Sequence, residues 1–335
     1  MGHYDARAPT VRGGTRYIPV FGRDDRSMNV QPVVINTADD RSWDGMLYRP
    51  LGPSGGRRRL GVVLVHGSVG NYISGLPRAL SFGIARAGYT VLATNTRMAN
   101  YGVFFGGGLL NRTPLDLDAA LGLLRRLDFQ QVVLVGFSMG ATIVTHYQAL
   151  RRPAEVVGVG TVAHPASLPR STRRRWERFD SEPSYEETTA LVRERLRPDP
   201  EDPSRDRIFV ARRAAGPTDL PRDAEIWTYR TWWFSRGPEA YHAISRLRIG
   251  QVTVPVALIQ GDDDEIVPVT EGPELAKIAE LGTCPDVTLE MVPGADHVFS
   301  GREAPLTEAL VAWLDQLVAT LEPAEPAALV GHGSL

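Results

Sequence analysis

Hydrophobic residues along this chain form two kinds of pattern that alternate with each other. Residues 61–65, 132–135 and 156–162 are short, uninterrupted apolar runs rich in valine, which is typical of strands buried on both faces. Residues 115–127 and 141–150 have the apolar pattern of helices. The same two patterns recur elsewhere and predict strands over residues 89–94, 254–260 and 287–292 and helices over residues 76–87, 274–281 and 305–321. This alternation predicts a mostly parallel sheet with helices on both faces.

The two ends of the chain follow other patterns. Residues 1–29 form an N-terminal extension rich in glycine and arginine, with one candidate strand around residues 17–21. Residues 33–36 and 43–48 flank the turn sequence Ala38-Asp39-Asp40, which predicts an antiparallel hairpin. Residues 322–335 are rich in proline, alanine and glycine, and we expect a flexible tail there.

The alternating pattern is interrupted between residues 166 and 250. This segment has many prolines, dense charge and four of the six tryptophans, but no pattern of a buried strand. The pattern resumes at residue 251. We therefore predict a core formed by residues 30–165 and 251–321, and an inserted, mainly helical cap over residues 166–250.

Composition narrows the range of functions. A length of 335 residues, 43% apolar residues and a net charge of −2 indicate an ordinary globular protein, with no electrostatic case for binding nucleic acid or membranes. The single cysteine, Cys284, excludes an internal disulfide, and no histidine or cysteine cluster accompanies it, so we expect neither a metal nor a cofactor. The N-terminus lacks the apolar segment of a signal peptide, which predicts a cytoplasmic location.

The sequence Gly136-Phe137-Ser138-Met139-Gly140 lies between a predicted strand and a predicted helix. Gly-x-Ser-x-Gly in this setting is the nucleophile elbow, a sharp turn that lifts the serine hydroxyl above the sheet. The two glycines are needed because side chains at those positions would collide across the bend. Ser138 is therefore the candidate nucleophile.

A serine nucleophile needs a base, and the base needs a carboxylate to orient it. His297 follows the last predicted strand, at the sheet edge where the elbow also lies, and is the candidate base. Four consecutive acids follow the strand before it, at positions 262–265. We favour Asp264, which we place at the tip of the turn, and keep Asp262 as the alternative.

An oxyanion formed on the substrate needs two N–H donors. The amide of Met139, at the start of the elbow helix, is one candidate. The second is expected in the glycine-bearing loop after the strand over residues 61–65, where we favour the amide of Ser68 over that of Val69. His66 in the same loop is expected to be structural.

Taken together, these residues resemble the working parts of the α/β-hydrolase superfamily. The resemblance covers residues 33–321 apart from the cap, and its motifs are the elbow, His66-Gly67, Gly261-x-x-Asp264 and Gly294-Ala295-Asp296-His297. It implies the α/β-hydrolase fold with a Ser-Asp-His triad. Ala163-His164-Pro165 is faintly similar to members of the dienelactone-hydrolase type, but those use a cysteine nucleophile where this chain has Ser138.

Three further residues of the sequence are candidate substrate contacts. His164 ends a strand at the ligand-binding edge and is either a substrate contact or a structural histidine. Trp232 and Trp233 either line a pocket under the cap or hold the cap together. The run Arg173-Arg174-Arg175 is interpreted as a solvated helix face, with an anion-binding role as the minor alternative.

These residues predict a cofactor-free serine hydrolase that cleaves a carboxylic ester or lactone of a small or medium organic substrate through an acyl-enzyme. One alternative is a thioesterase or acyltransferase of secondary metabolism, which would use the same triad. Another is a protein that binds a ligand on this fold without catalysis. The predicted partner is a small ester-type molecule in each enzymatic case, and the oligomeric state is not predicted.

Overall fold

The computed structural model describes residues 28–51, 59–68, 70–99, 108–213 and 224–321. The candidate strand over residues 17–21 and the predicted tail therefore lie outside the described residues. The strands within these ranges are β1 (Met28–Asn36), β2 (Ser42–Pro50), β3 (Leu60–Val65), β4 (Thr90–Thr94), β5 (Gln131–Phe137), β6 (Val156–Val162), β7 (Ser181–Glu182), β8 (Ile208–Arg213), β9 (Ala224–Thr228), β10 (Val256–Gly261) and β11 (Val287–Val292).

The α-helices of the described residues cover both faces of the main sheet and build much of the 166–250 segment. They are α1 (Gly75–Arg86), α2 (Thr113–Arg126), α3 (Met139–Arg151), α4 (Leu168–Arg178), α5 (Tyr185–Leu196), α6 (Tyr229–Ser235), α7 (Glu271–Glu280) and α8 (Glu303–Leu321). None of these helices has both the length and the hydropathy needed to cross a bilayer.

Eight strands form the main sheet, in the order β1-β2-β4-β3-β5-β6-β10-β11. The pairs β1–β2 and β2–β4 are antiparallel, and every other pair is parallel. The predicted hairpin is present, although β1 begins at Met28, five residues before its predicted start. The predicted α/β-hydrolase fold with a mostly parallel sheet is confirmed.

Two apolar layers hold this sheet between helices. On one face α2, α3 and α7 contribute side chains such as Leu121, Ile143 and Leu275. On the other face α1 and α8 contribute Ile84 and Leu310 among others. Strands β3 and β4 are buried along their whole length, because they lie inside the sheet and are covered on both faces. The continuous valine-rich runs of the sequence are therefore the central strands.

The 166–250 segment contains α4, α5 and α6, as expected for a mainly helical region. It also contains a three-stranded antiparallel sheet, in the order β7-β8-β9, which the sequence did not predict. The segment has its own apolar cluster, in which Trp176, Tyr185 and Trp232 are buried together. The cluster explains why tryptophans concentrate in this part of the chain.

Ion pairs attach α4 to the main sheet layer through Glu271, at the start of α7. The side chain of Glu271 is buried and accepts hydrogen bonds from the amide of Ala166 at 2.7 Å, from Arg170 Nη2 at 2.8 Å and from Arg174 Nη1 at 2.9 Å. The run Arg173-Arg174-Arg175 is thus not simply a solvated face, because all three of its members form salt bridges within the protein.

A second buried ion pair joins Arg97, in the loop after β4, to Asp116 of α2, and Arg97 also pairs with Asp39 in the hairpin turn. Asp116 accepts hydrogen bonds from Arg97 Nη2 at 2.7 Å, from the amide of Arg97 at 2.9 Å and from Trp43 Nε1 at 2.9 Å. Asp116 and Arg97 are both buried, so neither charge has water as an alternative partner.

Replacing Asp116 with alanine is expected to lower the free energy of unfolding by about 3 kcal/mol, because the buried guanidinium of Arg97 then keeps only the partly exposed Asp39 as a charged partner. Chemical denaturation followed by circular dichroism measures this loss. The control is Asp118→Ala on the exposed side of α2, where a loss of about 1 kcal/mol is expected. Equal losses for both variants would contradict the claim that the buried carboxylate of Asp116 stabilises the fold more than the exposed carboxylate of Asp118.

Candidate active site

The turn between β5 and α3 places Ser138 at the carboxyl edge of the sheet. Its backbone has φ 52° and ψ −117°, a strained conformation for a residue other than glycine. A Cβ added to Gly136 would lie 2.3 Å from the carbonyl carbon of Gly140, and one added to Gly140 would lie 2.4 Å from the carbonyl oxygen of Val65. Both positions therefore require glycine. The backbone amide of Ser138 donates a hydrogen bond to Val162 O at 2.8 Å, which attaches the turn to β6.

His297 lies in the loop between β11 and α8. Its Nε2 atom is 3.2 Å from Ser138 Oγ, within hydrogen-bond reach. The backbone amide of His297 donates to Glu265 Oε2 at 3.1 Å, and its ring packs against Phe137 at 5.5 Å between ring centres. The loop is thus attached both to the elbow and to the turn after β10.

Asp264 lies in that turn, and its carboxylate faces the other side of the imidazole. Its oxygens are 3.0 Å and 3.1 Å from His297 Nδ1. Asp264 also accepts hydrogen bonds from the amides of Ile266 at 2.9 Å and Val267 at 2.7 Å, and its side chain is fully buried. These donors stabilise the ionised carboxylate, which in turn favours a proton on Nδ1 and leaves Nε2 free to accept one.

Asp262, the alternative acid, has a different environment. It is exposed and accepts a hydrogen bond from the amide of Gly294 at 2.6 Å, so it links the turn after β10 to the loop after β11. The structure therefore brings Asp264, and not Asp262, into contact with His297.

The two candidate oxyanion donors flank the serine. Met139 is the first residue of α3, and the first amides of a helix have no partner within that helix. Ser68 lies in the loop after β3 and lines the same cavity as Ser138. Val69 lies outside the described residues. His66, two residues before Ser68, is fully buried. Its Nδ1 atom is 2.8 Å from Gly67 O, and its Nε2 atom accepts a hydrogen bond from the Thr96 amide at 3.2 Å. Burial lowers the pKa of His66 to about 4.

Ser138 and His297 open onto a cavity of about 230 Å³. Apolar side chains dominate its wall, among them Phe137, Leu168 and Ile266. Leu168 belongs to the 166–250 segment, so both the main sheet and this segment enclose the cavity. Within the described ranges, no group of three or more histidine, cysteine or acidic side chains could hold a metal ion.

Comparisons with known proteins agree with this fold. A family model described as the alpha/beta hydrolase family matches residues 62–309, about three quarters of the chain. The chain belongs to the alpha/beta hydrolase family. No match was found among curated proteins.

Solved structures of similar fold include several esterases. Est1E from Butyrivibrio proteoclasticus, determined with ferulic acid, is 16% identical, with a TM-score of 0.60 over 86% of this chain and 99% of that chain. The esterase Pf2001 of Pyrococcus furiosus is 18% identical, with a TM-score of 0.58 over 91% and 96%. The esterase domain of a Rhodothermus marinus protein is 19% identical, with a TM-score of 0.53 over 87% and 100%. At these identities the likeness shows the shared fold.

The predicted substrate contacts of this hydrolase are not among the side chains that line the cavity. Trp232 is completely buried in the apolar cluster of the 166–250 segment, where Trp176 packs on it at 4.7 Å, and Trp233 packs against the same cluster. His164 follows β6 and is 2% exposed, and neither ring nitrogen has a partner among the described residues.

Burial lowers the pKa of His164 to about 3, so the folded protein holds this imidazole neutral. The unfolded chain binds the proton with a pKa of about 6.5, and stability therefore falls as the pH drops below about 6.5 towards 3. Between pH 7.5 and 5.0 the loss from this residue should be about 2 kcal/mol. The difference between wild type and His164→Gln, from denaturant unfolding at both pH values, measures it. A variant with the same pH dependence as wild type would contradict this assignment.

The sequence did not predict several side chains that line the cavity, among them Arg236 and Trp227. Both come from the 166–250 segment, and neither belongs to a motif. Arg236 directly follows α6, in a region whose packing depends on contacts with distant residues such as Ser68. No local pattern indicated that it would reach the catalytic edge of the sheet.

Proposed function

We propose that this hydrolase cleaves a carboxylic ester through an acyl-enzyme, with Ser138 as nucleophile, His297 as base and Asp264 as the carboxylate that orients His297. The observation that carries the proposal is the continuous chain of contacts from Asp264 through both ring nitrogens of His297 to Ser138 Oγ, at 3.0 Å and 3.2 Å. The strained elbow supports it as well, since a protein that only binds a ligand has no need of it.

The acylation step follows from the positions of these atoms. His297 Nε2 accepts the proton of Ser138 Oγ as that oxygen attacks the ester carbonyl carbon and forms a C–O bond. The carbonyl oxygen becomes an oxyanion, for which the amides of Met139 and Ser68 are the proposed donors. When the intermediate collapses, the bond to the alcohol oxygen breaks and His297 passes its proton to the departing alkoxide.

Deacylation repeats the same proton transfers with water as the nucleophile. His297 removes a proton from a water molecule, whose oxygen attacks the acyl carbon. The bond to Ser138 Oγ then breaks, Ser138 regains its proton from His297, and the carboxylic acid leaves. Asp264 stays ionised throughout and stabilises the imidazolium.

The 166–250 segment is proposed to act as the cap over this site, on a core formed by residues 30–165 and 251–321. It supplies Leu168, Trp227 and Arg236 to the cavity wall. The cavity volume of about 230 Å³ favours a small substrate, because sites for drug-sized ligands begin at about 300 Å³.

A panel of 4-nitrophenyl esters with acyl chains of two to twelve carbons, set against acyl-thioesters of the same chains, tests the proposal. We expect the highest kcat/KM for short acyl esters and a lower value for each matching thioester. A preference for thioesters across the panel would overturn the assignment to ester hydrolysis in favour of a thioesterase, and absence of turnover on every substrate would favour a binding protein.

A further inference from the structure

Arg236 places a positive charge in the wall of the cavity that contains Ser138. It caps the C-terminus of α6 and is only 5% exposed. Its Nη2 atom donates to Ser68 Oγ at 2.6 Å and contacts Met139 Sδ at 3.6 Å, and its guanidinium carbon lies 5.4 Å from the ring centre of Trp227. The guanidinium thus contacts both residues proposed to bind the oxyanion.

This charge has only neutral partners. Nε of Arg236 has no hydrogen-bond partner, and no ion pair joins Arg236 to a carboxylate anywhere in the described ranges. Glu225, the acidic side chain that acts on it electrostatically, already forms an ion pair with Arg175 at 3.0 Å. The other deeply buried arginine described above, Arg97, has Asp116 as a partner. Arg236 differs from it in this respect.

An unpaired charge in this position is unfavourable for the protein alone. Burial lowers the pKa of Arg236 to about 9, which still leaves the group charged at neutral pH. A buried charge normally persists only when it is paired or has a functional reason. The charged side chains that line the cavity are Arg175 and Arg236, both positive, and none of the described lining residues is acidic. The cavity is therefore suited to a negatively charged ligand.

We propose that Arg236 binds a carboxylate carried by the substrate, so that the enzyme prefers esters with a free acidic group close to the scissile bond. This inference rests on the proposed ester hydrolysis. The planar guanidinium can donate two parallel hydrogen bonds to a carboxylate, and Trp227 and Ser68 hold its position. A cavity of about 230 Å³ fits the half-ester of a short dicarboxylic acid.

Two pairs of esters test the proposal and show which side of the ester carries the charge. On the acyl side, 4-nitrophenyl hydrogen glutarate is compared with 4-nitrophenyl pentanoate. On the alcohol side, 3-carboxyphenyl acetate is compared with its neutral methyl ester. For each pair, the ratio of kcat/KM for the acidic ester to kcat/KM for the neutral ester is measured in wild type and in Arg236→Gln. Comparing the two ratios cancels the intrinsic reactivity of each ester.

We expect Arg236→Gln to lower kcat/KM for the acidic member of at least one pair by about 10- to 100-fold, the effect of losing a charge-assisted hydrogen bond. The loss for the neutral member should be at least about tenfold smaller than the loss for the acidic member, so that the ratio within the pair falls. Arg236→Lys keeps the charge but not the bidentate geometry. Its kcat/KM for the acidic member should therefore lie between the values for wild type and Arg236→Gln. The control is Arg193→Gln, which removes a half-exposed positive charge paired with Glu239, outside the cavity wall, and should leave every ratio unchanged.

Other results would overturn the proposal. Equal losses on the acidic and neutral esters would make Arg236 a residue that positions Ser68 for the oxyanion. No preference for the acidic esters in wild type would exclude a carboxylate site. Circular dichroism and thermal unfolding establish whether each variant is folded. If Arg236→Gln is not folded, the same comparison is made with Arg236→Lys.

Calorimetric titration with glutarate and with 3-hydroxybenzoate separates this inference from the proposed function, because it needs no turnover. We expect wild type and Ser138→Ala to bind at least one of the two acids, and Arg236→Gln to bind it at least about tenfold more weakly. If no ester is hydrolysed but this binding is observed, the proposed function fails and the anion site stands. If esters are hydrolysed and neither acid binds, the anion site fails.

Discussion

Replacing Ser138 with alanine is expected to lower kcat for ester hydrolysis by about 10⁶-fold, about as much as removing the whole triad. The loss is this large because alanine offers no oxygen to attack the ester, so His297 and Asp264 have nothing to activate. The turn itself should survive, since glycines at positions 136 and 140 set its geometry. The measurement is kcat on the best short-chain nitrophenyl ester.

The matched control is Ser171→Ala, because Ser171 lines the same cavity but contacts neither His297 nor Asp264. We expect kcat to change by less than about tenfold. Substrate binding by Ser138→Ala should persist, because the cavity wall is otherwise intact. A Ser138→Ala protein that retained more than about one per cent of wild-type kcat would contradict the role of this serine.

Asp264→Asn is expected to lower kcat by about 10⁴-fold, with the fold intact. The asparagine oxygen can still accept the amide hydrogen bonds of Ile266 and Val267. Its NH₂ group would then face His297 Nδ1 and favour a proton on Nε2, the nitrogen that must accept the proton of Ser138. The effect should appear in kcat far more than in KM, because the residue does not line the cavity next to Ser138.

Asp262→Asn is the matched control, since it removes one carboxylate from the same turn. Asp262 accepts a hydrogen bond from the amide of Gly294, and the asparagine oxygen can do the same. We expect kcat within about threefold of wild type. A loss at Asp262 as large as the loss at Asp264 would show that the net charge of the acidic turn matters, and not the contact of Asp264 with the imidazole.

The elbow could be predicted from the sequence because its requirements are local. The bend between β5 and α3 needs glycines at two fixed positions, and both flanking elements have clear apolar patterns. His297 and Asp264 could be predicted because consecutive parallel strands end at the same edge, which makes loops distant in sequence neighbours in space. The choice between Asp264 and Asp262 needed coordinates, since it depends on which carboxylate turns inward.

The strands and the cavity-lining side chains of the 166–250 segment could not be predicted from the sequence. Strands β8 and β9 pair only with each other and with the two-residue strand β7, so neither shows the continuous apolar run of a buried strand. The sequence left two roles open for Trp232, lining a pocket or holding the segment together. The structure shows Trp232 in the apolar cluster, whose packing depends on contacts with residues more than 40 positions away, such as Trp176. Arg236 reaches the cavity through the same long-range packing.

Labelling with a fluorophosphonate tests the central chemical claim most directly, because this reagent forms a covalent bond only with a serine whose proton a neighbouring base removes. Mass spectrometry of the digested protein should find the phosphonyl group on Ser138, with no labelling in Ser138→Ala and strongly slowed labelling in a folded His297→Ala protein. Absence of labelling in folded wild type, or a label on another serine, would contradict the account.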